Sequence, residues 1–237
     1  MRGLMVFLMI IFWPGTSRLS ASDDISCLNC HINFQKTDKH VHAAMNMGCH
    51  ACHTPVQGMN HPEQKNSITL IKDMPALCFN CHDESKFKGK IIMPPVAGGQ
   101  CTNCHDPHQS PFSALLKKEI PELCYLCHNK AAFTKKFVHP PAISGCLVCH
   151  KPHASNDPFL LSGSVNDVCV NCHRAQAKGV HVVSTFFGDR PHPIKGIPDP
   201  ANPKQELTCV SCHNPHSADY EKLFPTANIC QRCHKFF

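Results

Sequence analysis

Large aromatic side chains are scarce in this 237-residue chain: one Trp, two Tyr and 14 Phe, 7% in all. Charge is scarce too, at 17% of residues, below the roughly 25% of an ordinary soluble domain. Asp and Glu number only 17 against 23 Lys and Arg, so the bare chain carries a formal net charge of +6. Long apolar runs are missing. The longest, from Leu4 to Trp13, is far short of the about 20 residues that a spanning helix needs. Twenty Pro and 12 Gly interrupt the rest, which excludes long helices and wide sheets. Such a chain has little with which to build an apolar core of its own.

What it has is 18 Cys and 19 His. Every Cys belongs to one of nine Cys-x-x-Cys-His motifs: Cys27/Cys30/His31, Cys49/Cys52/His53, Cys78/Cys81/His82, Cys101/Cys104/His105, Cys124/Cys127/His128, Cys146/Cys149/His150, Cys169/Cys172/His173, Cys209/Cys212/His213 and Cys230/Cys233/His234. Structural zinc closes four ligands, usually from two CxxC halves. Nine halves do not pair evenly, and zinc gives no reason for a His after every second Cys. Disulfides suit an exported chain but do not require this spacing. In haem c attachment the two thiols add to the porphyrin vinyl groups and the next imidazole takes the iron as its proximal ligand. The sequence therefore predicts nine covalent haem c groups, with all 18 cysteines as thioether donors and the nine motif His as proximal ligands.

Residues 1–22 have the layout of a secretory signal peptide: Arg2, the apolar run, Pro14-Gly15 and the small residues Ser20-Ala21-Ser22. Export suits haem c chemistry, and no Cys precedes Cys27 to carry a lipid anchor. The remaining 23–237 is read as one domain, with about 24 residues per haem, so the haems must be the core. The expected fold is mostly irregular, with short α-helices carrying the motifs and little or no sheet, and the apoprotein should be unfolded. Losing Arg2 and Arg18 leaves 21 Lys and Arg against 17 Asp and Glu, a net +4. Eighteen haem propionates would outweigh this, so the basic balance gives no support to nucleic-acid binding.

The motifs start 22, 29, 23, 23, 22, 23, 40 and 21 residues apart. Read in pairs they form units at 27–77, 78–123, 124–168 and 169–229, with a closing motif at 230–237. The second motif of the later units continues as His105-Asp106-Pro107-His108, His150-Lys151-Pro152-His153 and His213-Asn214-Pro215-His216. Leu115-Leu116, Leu160-Leu161 and Leu223-Phe224 follow at equal distance and are expected to pack against haem faces. Upstream stand His42, Met93-Pro94-Pro95 and His139-Pro140-Pro141. The prolines stiffen the approach to the motif.

These residues resemble the doubled-CxxCH multihaem cytochromes and, among them, the periplasmic cytochromes of outer-membrane porin–cytochrome conduits in metal-reducing bacteria. Unit one departs from the pattern, with Val56 where the other units have His108, His153 and His216. The resemblance implies cross-ligation of neighbouring haems. It also implies a periplasmic location or the periplasmic face of the outer membrane, redox partners (a periplasmic donor cytochrome and an outer cytochrome acceptor) and an outer-membrane β-barrel as a further partner.

Ten His lie outside the motif-final position. Nine are candidate distal ligands: His40, His42, His61, His108, His139, His153, His181, His192 and His216. His108, His153 and His216 cannot reach round their own porphyrins and are expected to serve neighbours. His61 could fill the gap left at Val56, and one of His181 and His192 could compensate for unit two, which lacks an upstream His. His50, inside its own motif, is the expected non-ligand. Met93 stands where unit three has His139; packing is the ordinary role of Met in such a place, and His/Met ligation is the alternative. The Pro-rich stretch 191–203 reads as an irregular loop and a candidate docking surface.

Enough His exist to close every iron, and no CxxCK motif marks an open one. The expected function is electron conduction along a haem row rather than catalysis, from periplasm towards the outer membrane or cell exterior. A soluble periplasmic shuttle, an extracellular filament subunit and a reductase with one open iron are the alternatives.

Overall fold

The computed structural model describes residues 27–34, 38–178, 181, 183 and 192–234. The signal-like residues 1–22, Pro191 and the last three residues lie outside the described residues.

Local structure starts at the motifs. In all nine, the second Cys N–H donates to the first Cys carbonyl at 3.2–3.3 Å. In eight, the His N–H donates to that same carbonyl at 2.9–3.1 Å, closing one helical turn that carries the imidazole round to the side of the first thiol. The exception is His53, which enters a strand instead. The helices expected as α are mostly single 3-10 turns, such as Cys78–Asn80, Cys124–Leu126 and Cys146–Val148. The α-helical segments with described bounds are Pro94–Ala97, Pro140–Ser144, Val165–Val170 and Arg174–Ala177. The pentapeptide motif has room for one turn only, and the flanking Pro and Gly stop it from growing.

Among the described residues ten short strands pair in five two-stranded ribbons. They are β1 (His40–Val41), β2 (His53–Pro55), β3 (Ile68–Leu70), β4 (Ile91–Ile92), β5 (Gln109–Ser110), β6 (Phe137–Val138), β7 (Ala154–Ser155), β8 (Pro198–Asp199), β9 (Asn202–Glu206) and β10 (Ser217–Ala218). Three ribbons join consecutive units in one antiparallel pattern: β1 with β5, β4 with β7, and β6 with β10. The other two are local hairpins. One of them, β8 with β9, replaces the irregular loop expected over 191–203. Its turn is held by the Asp199 carboxylate, which accepts from the Ala201 N–H at 2.8 Å.

Among the described residues the buried apolar side chains are Ala154, Leu207 and Ala218. Buried small polar residues line the ribbons: the Ser110 hydroxyl donates to the Leu116 carbonyl, Ser155 to Leu161 and Ser217 to Ala132. Large apolar side chains lie outside, with Ile143 69% and Phe159 67% exposed. No helix of the described residues is long and apolar enough to cross a membrane.

The β4–β7 ribbon passes so close to Gly89 that a Cβ there would lie 2.8 Å from the Ser155 carbonyl oxygen. Gly89→Ala should therefore spread this ribbon and cost about 1–3 kcal/mol of stability. Denaturant unfolding of the holoprotein measures the loss, and hydrogen exchange should show it at Ile91 and Ile92 first. Unchanged exchange there would argue against the close approach.

Candidate functional site

Each junction ribbon places two candidate ligands, one just outside each strand. His42 follows β1 and donates its N–H to the carbonyl of His108, which precedes β5, at 2.8 Å. His139 follows β6 and donates to His216, which precedes β10, at 2.9 Å. Met93 donates to His153 across β4–β7 at 2.9 Å in the same way. The proline after Met93 and after His139 holds each residue extended, and each caps the short helix that follows.

All 19 His are among the described residues. Eight motif His face eight others: His31 with His61, His53 with His108, His82 with His42, His105 with His153, His150 with His216, His173 with His139, His213 with His181 and His234 with His192. Ring centroids are 5.9–6.3 Å apart in every pair. A metal–imidazole bond is about 2.0 Å and the nitrogen lies about 1.1 Å from its ring centre, so two imidazoles on opposite sides of one metal put their centroids about 6.2 Å apart. Five pairs are nearly parallel, at 12–23°; His105–His153 is tilted at 40°. His181–His213 and His192–His234 are close to perpendicular, at 66° and 68°. Among the described residues no three His, Cys, Asp or Glu side chains gather as a closed zinc site would need.

His192 thus stands against His234 and His181 against His213; neither compensates for unit two. His40 and His50 are in none of the pairs. His40 lies in β1 opposite Ser110, in the ribbon position that holds Ile91 and Phe137 in later units. Among the described residues, His128 is the one motif His whose ring faces no other His.

Carbonyls orient many of these rings. The Nδ1 of His105, His150 and His213 lies 2.7, 2.8 and 2.6 Å from the carbonyls of Ala114, Phe159 and Lys222. His42, His139 and His192 are held likewise by Pro107, Pro215 and Pro193 at 2.8–2.9 Å. A carbonyl only accepts, so Nδ1 must carry the proton and Nε2 is left with its lone pair for a metal. Burial, and then the facing His108 ring, pushes the His53 imidazole below its ordinary value. His153 and His216 shift down for the same reasons, with His105 and His150 facing them. Both effects favour the neutral, ligating form.

The turns carrying Ala114, Phe159 and Lys222 are left-handed. Their φ values are 54°, 59° and 57°, followed by Leu115 at 55°, Leu160 at 57° and Leu223 at 61°. Such backbone costs roughly 1–2 kcal/mol per non-glycine residue. It persists because it aims a carbonyl at the motif His. The apolar pairs expected only to pack are thus part of a backbone device, whose sole trace in the sequence is their fixed spacing. A second set of residues escaped sequence reasoning. Phe34, Phe87 and Phe133 lie 4.7–4.9 Å from His108, His153 and His216, each wedged against the ring. Phe87 and Phe133 end 3-10 turns capped by the side chains of Asp83 and Asn129.

The thiols of consecutive motifs approach one another. Cys78 is raised by burial and then by Cys101, to which it is hydrogen-bonded, with a smaller effect from Cys52. Burial and then Cys146 push Cys124 up to about 11. Cys169 rises and Cys209 falls through the hydrogen bond between them. Between units, Cys104 lies near Cys127, Cys149 near Cys172 and Cys212 near Cys233, each contributing after burial to a raised thiol. From the second motif to the ninth, every motif therefore neighbours the next in the sequence.

Among the described residues, Cys30, Cys81, Cys127, Cys172 and Cys230 are exposed and the other motif cysteines are half-buried. The pentapeptide sets the same turn in every motif, closed by the bond from the second Cys N–H to the first Cys carbonyl. An exposed thiol is open to a porphyrin vinyl group, and all 18 cysteines stand as candidate attachment points.

A family model for the doubled CXXCH motif matches residues 42–87, 94–133, 139–178 and 201–237, more than half of the chain. The chain belongs to this doubled-CXXCH family. It is a multihaem c-type cytochrome, and its motifs bind haem c covalently for electron transfer. The matched segments frame the motifs in the opposite phase to the units above, joining the second motif of one unit to the first of the next. No curated protein matches the chain. The donor set fits the cofactor: a thiol pair and a lone-pair imidazole on one side, and in eight cases a second imidazole at the right distance on the other.

The left-handed turn yields a test in this cytochrome. Ala114→Gly keeps the carbonyl that holds His105 and removes the backbone penalty of an exposed residue, so it should raise stability by about 0.5–1 kcal/mol. Thermal unfolding of the holoprotein reads this, and a fall in stability would contradict the strain.

Proposed function

We propose that each motif carries one haem c, that the nine haems stand in chain order, and that each facing imidazole pair clamps one iron from both sides. The observation that carries this reading is the set of eight pairs at the separation a shared metal requires. The order rests on the neighbouring thiols. Haem c supplies a reversible one-electron couple. The residues of the chain do the rest: two imidazoles leave no position for a substrate, and carbonyls and Phe rings fix the imidazole planes, so little has to move when the charge changes. This favours conduction over catalysis.

The setting we favour is transfer from periplasm to the outer membrane or cell exterior in extracellular respiration. A periplasmic cytochrome would be the donor, an outer cytochrome the acceptor, and an outer-membrane β-barrel the seat. The signal-like residues 1–22 and the resemblance to conduit cytochromes support it. A soluble periplasmic shuttle or a filament subunit would use the same haem row. The reductase reading draws on one observation, the His128 ring that faces no other His.

Haem counting and carbon monoxide binding test the proposal. The holoprotein should hold nine haems, and after reduction its spectrum should not change with carbon monoxide. His61→Ala should open the Cys27/Cys30 site and admit one carbon monoxide per nine haems. Substoichiometric binding by the unaltered protein would return the reductase reading. Electron paramagnetic resonance of the oxidised protein offers a separate check. Nearly parallel pairs should give rhombic low-spin signals, and the two perpendicular pairs, His181–His213 and His192–His234, a strongly anisotropic class. A spectrum of one class would count against these ring orientations.

A further inference from the structure

Among the described residues His128 faces no other imidazole, although the repeat supplies a residue at the place where one is expected. The upstream residue of each unit faces the first motif His of the next: His42 faces His82 and His139 faces His173. Between them in the series comes Met93, and the first motif His of the unit after it is His128. Met93 lies 35 residues before His128, and His139 lies 34 before His173.

The backbone at the three places is the same. His42, Met93 and His139 have φ of −66°, −60° and −72° and ψ of 129°, 131° and 121°. Each follows a two-residue strand, and each donates its N–H across the ribbon to the His that precedes the partner strand. The strands pair in one register: Val41 with Gln109, Ile92 with Ala154, Val138 with Ser217. Met93 and His139 are both followed by Pro-Pro. The Cα–Cβ bond of Met93 therefore leaves the ribbon in the direction that carries the imidazoles of His42 and His139 to their partners. Carbonyls accept from the Nδ1–H of His42 and His139. A thioether has no N–H to orient, and its sulfur lone pair is free. The two His outside all eight pairs stand elsewhere, His40 opposite Ser110 in the first ribbon and His50 inside the second motif.

We propose that the Met93 sulfur is the sixth ligand of the iron bound by His128, making the fifth haem a single His/Met centre within a bis-His row. The inference rests on the haem loading proposed above. Methionine ligation raises the reduction potential. The fifth haem would then be the first to accept an electron and the last to release it, holding one electron at mid-chain while its ligands stay unchanged.

Potentiometric titration of purified holoprotein, with haem counted on the same sample, tests this. The unaltered protein should show a high-potential component of about one ninth of the amplitude, together with the weak far-red absorption of a ferric methionine–iron bond. Met93→His supplies the ligand found at positions 42 and 139 and should abolish both while the count stays at nine. Met93→Leu should open the iron and admit one carbon monoxide per nine haems. Identical titrations of the unaltered protein and Met93→His, or carbon monoxide binding by the unaltered protein, would overturn the assignment. A haem count well short of nine in the unaltered protein would overturn the underlying reading, and this one with it.

Discussion

One distance governs this protein: two imidazoles that share a metal must hold their ring centres about 6 Å apart. A chain with three buried apolar side chains among its described residues has no core with which to fix such a distance. The junction ribbons fix it instead. Each is only two residues long per strand, yet each ends with a backbone hydrogen bond between the two ligand-bearing residues. That bond varies by only a few tenths of an ångström. At the first and third junctions one His reaches forward to the next unit and the other back to the second motif of the unit before. At the second, His153 reaches back to His105, so no unit completes its sites alone.

The energetics follow from the same arrangement. Isolated two-stranded ribbons are marginal in water, and single 3-10 turns are weaker still. Left-handed backbone at seven non-glycine positions among the described residues, six of them in the turns that hold motif His, adds cost. The protein accepts these local losses because what they position binds metal, and metal binding to a site absent from the unfolded chain becomes folding free energy. Exposed apolar residues such as Leu147 and Val148, between the cysteines of one motif, make sense beside a porphyrin. Folding and cofactor attachment are thus one problem, and the rigidity that results keeps ligation unchanged as electrons pass.

Much of this was legible in the sequence. The nine motifs named the cofactor, and the surplus of His named the candidate distal ligands, eight of which stand against a motif His. The partners were not legible, because ring pairing is decided across units by contacts such as His42 with residues 107 and 108, which no local pattern encodes. The unequal cover of the thiols, with Cys30, Cys81, Cys127, Cys172 and Cys230 in the open, escaped for the same reason. Nor was the left-handed turn legible, since Ala114-Leu115 and Lys222-Leu223 carry none of the Gly or Asn that usually announces positive φ. The α-helices expected at the motifs became 3-10 turns for want of length, and the proline-rich stretch became a hairpin because Asp199 closes its turn.

The irregular spacings acquire a reason from the pairing. Motif starts are 21–23 residues apart except at two places, where they are 29 and 40 apart. The first of these stretches, Cys49 to Cys78, holds His61, which faces His31 of its own unit. The second, Cys169 to Cys209, holds His181, which faces His213 of its own unit, and His192, which faces His234 of the closing motif. Interior units exchange ligands through ribbons and need no extra chain. The sites at His31 and His213 instead draw on a local loop, and the extra residues are the loop that brings the ligand back. Val56 fits the same logic. At His108, His153 and His216 the equivalent residue reaches back to the second motif of the unit before, and unit one, with Val56 at that place, sends no such ligand. His61 turns instead on its own first motif, steadied by the buried Ser67 hydroxyl at 3.0 Å. Departures from the repeat are therefore where a loop must carry the ligand, and a loop holds the ring distance as a ribbon does without setting one plane: the His31–His61 rings are nearly parallel at 12°, those of His181–His213 and His192–His234 close to perpendicular.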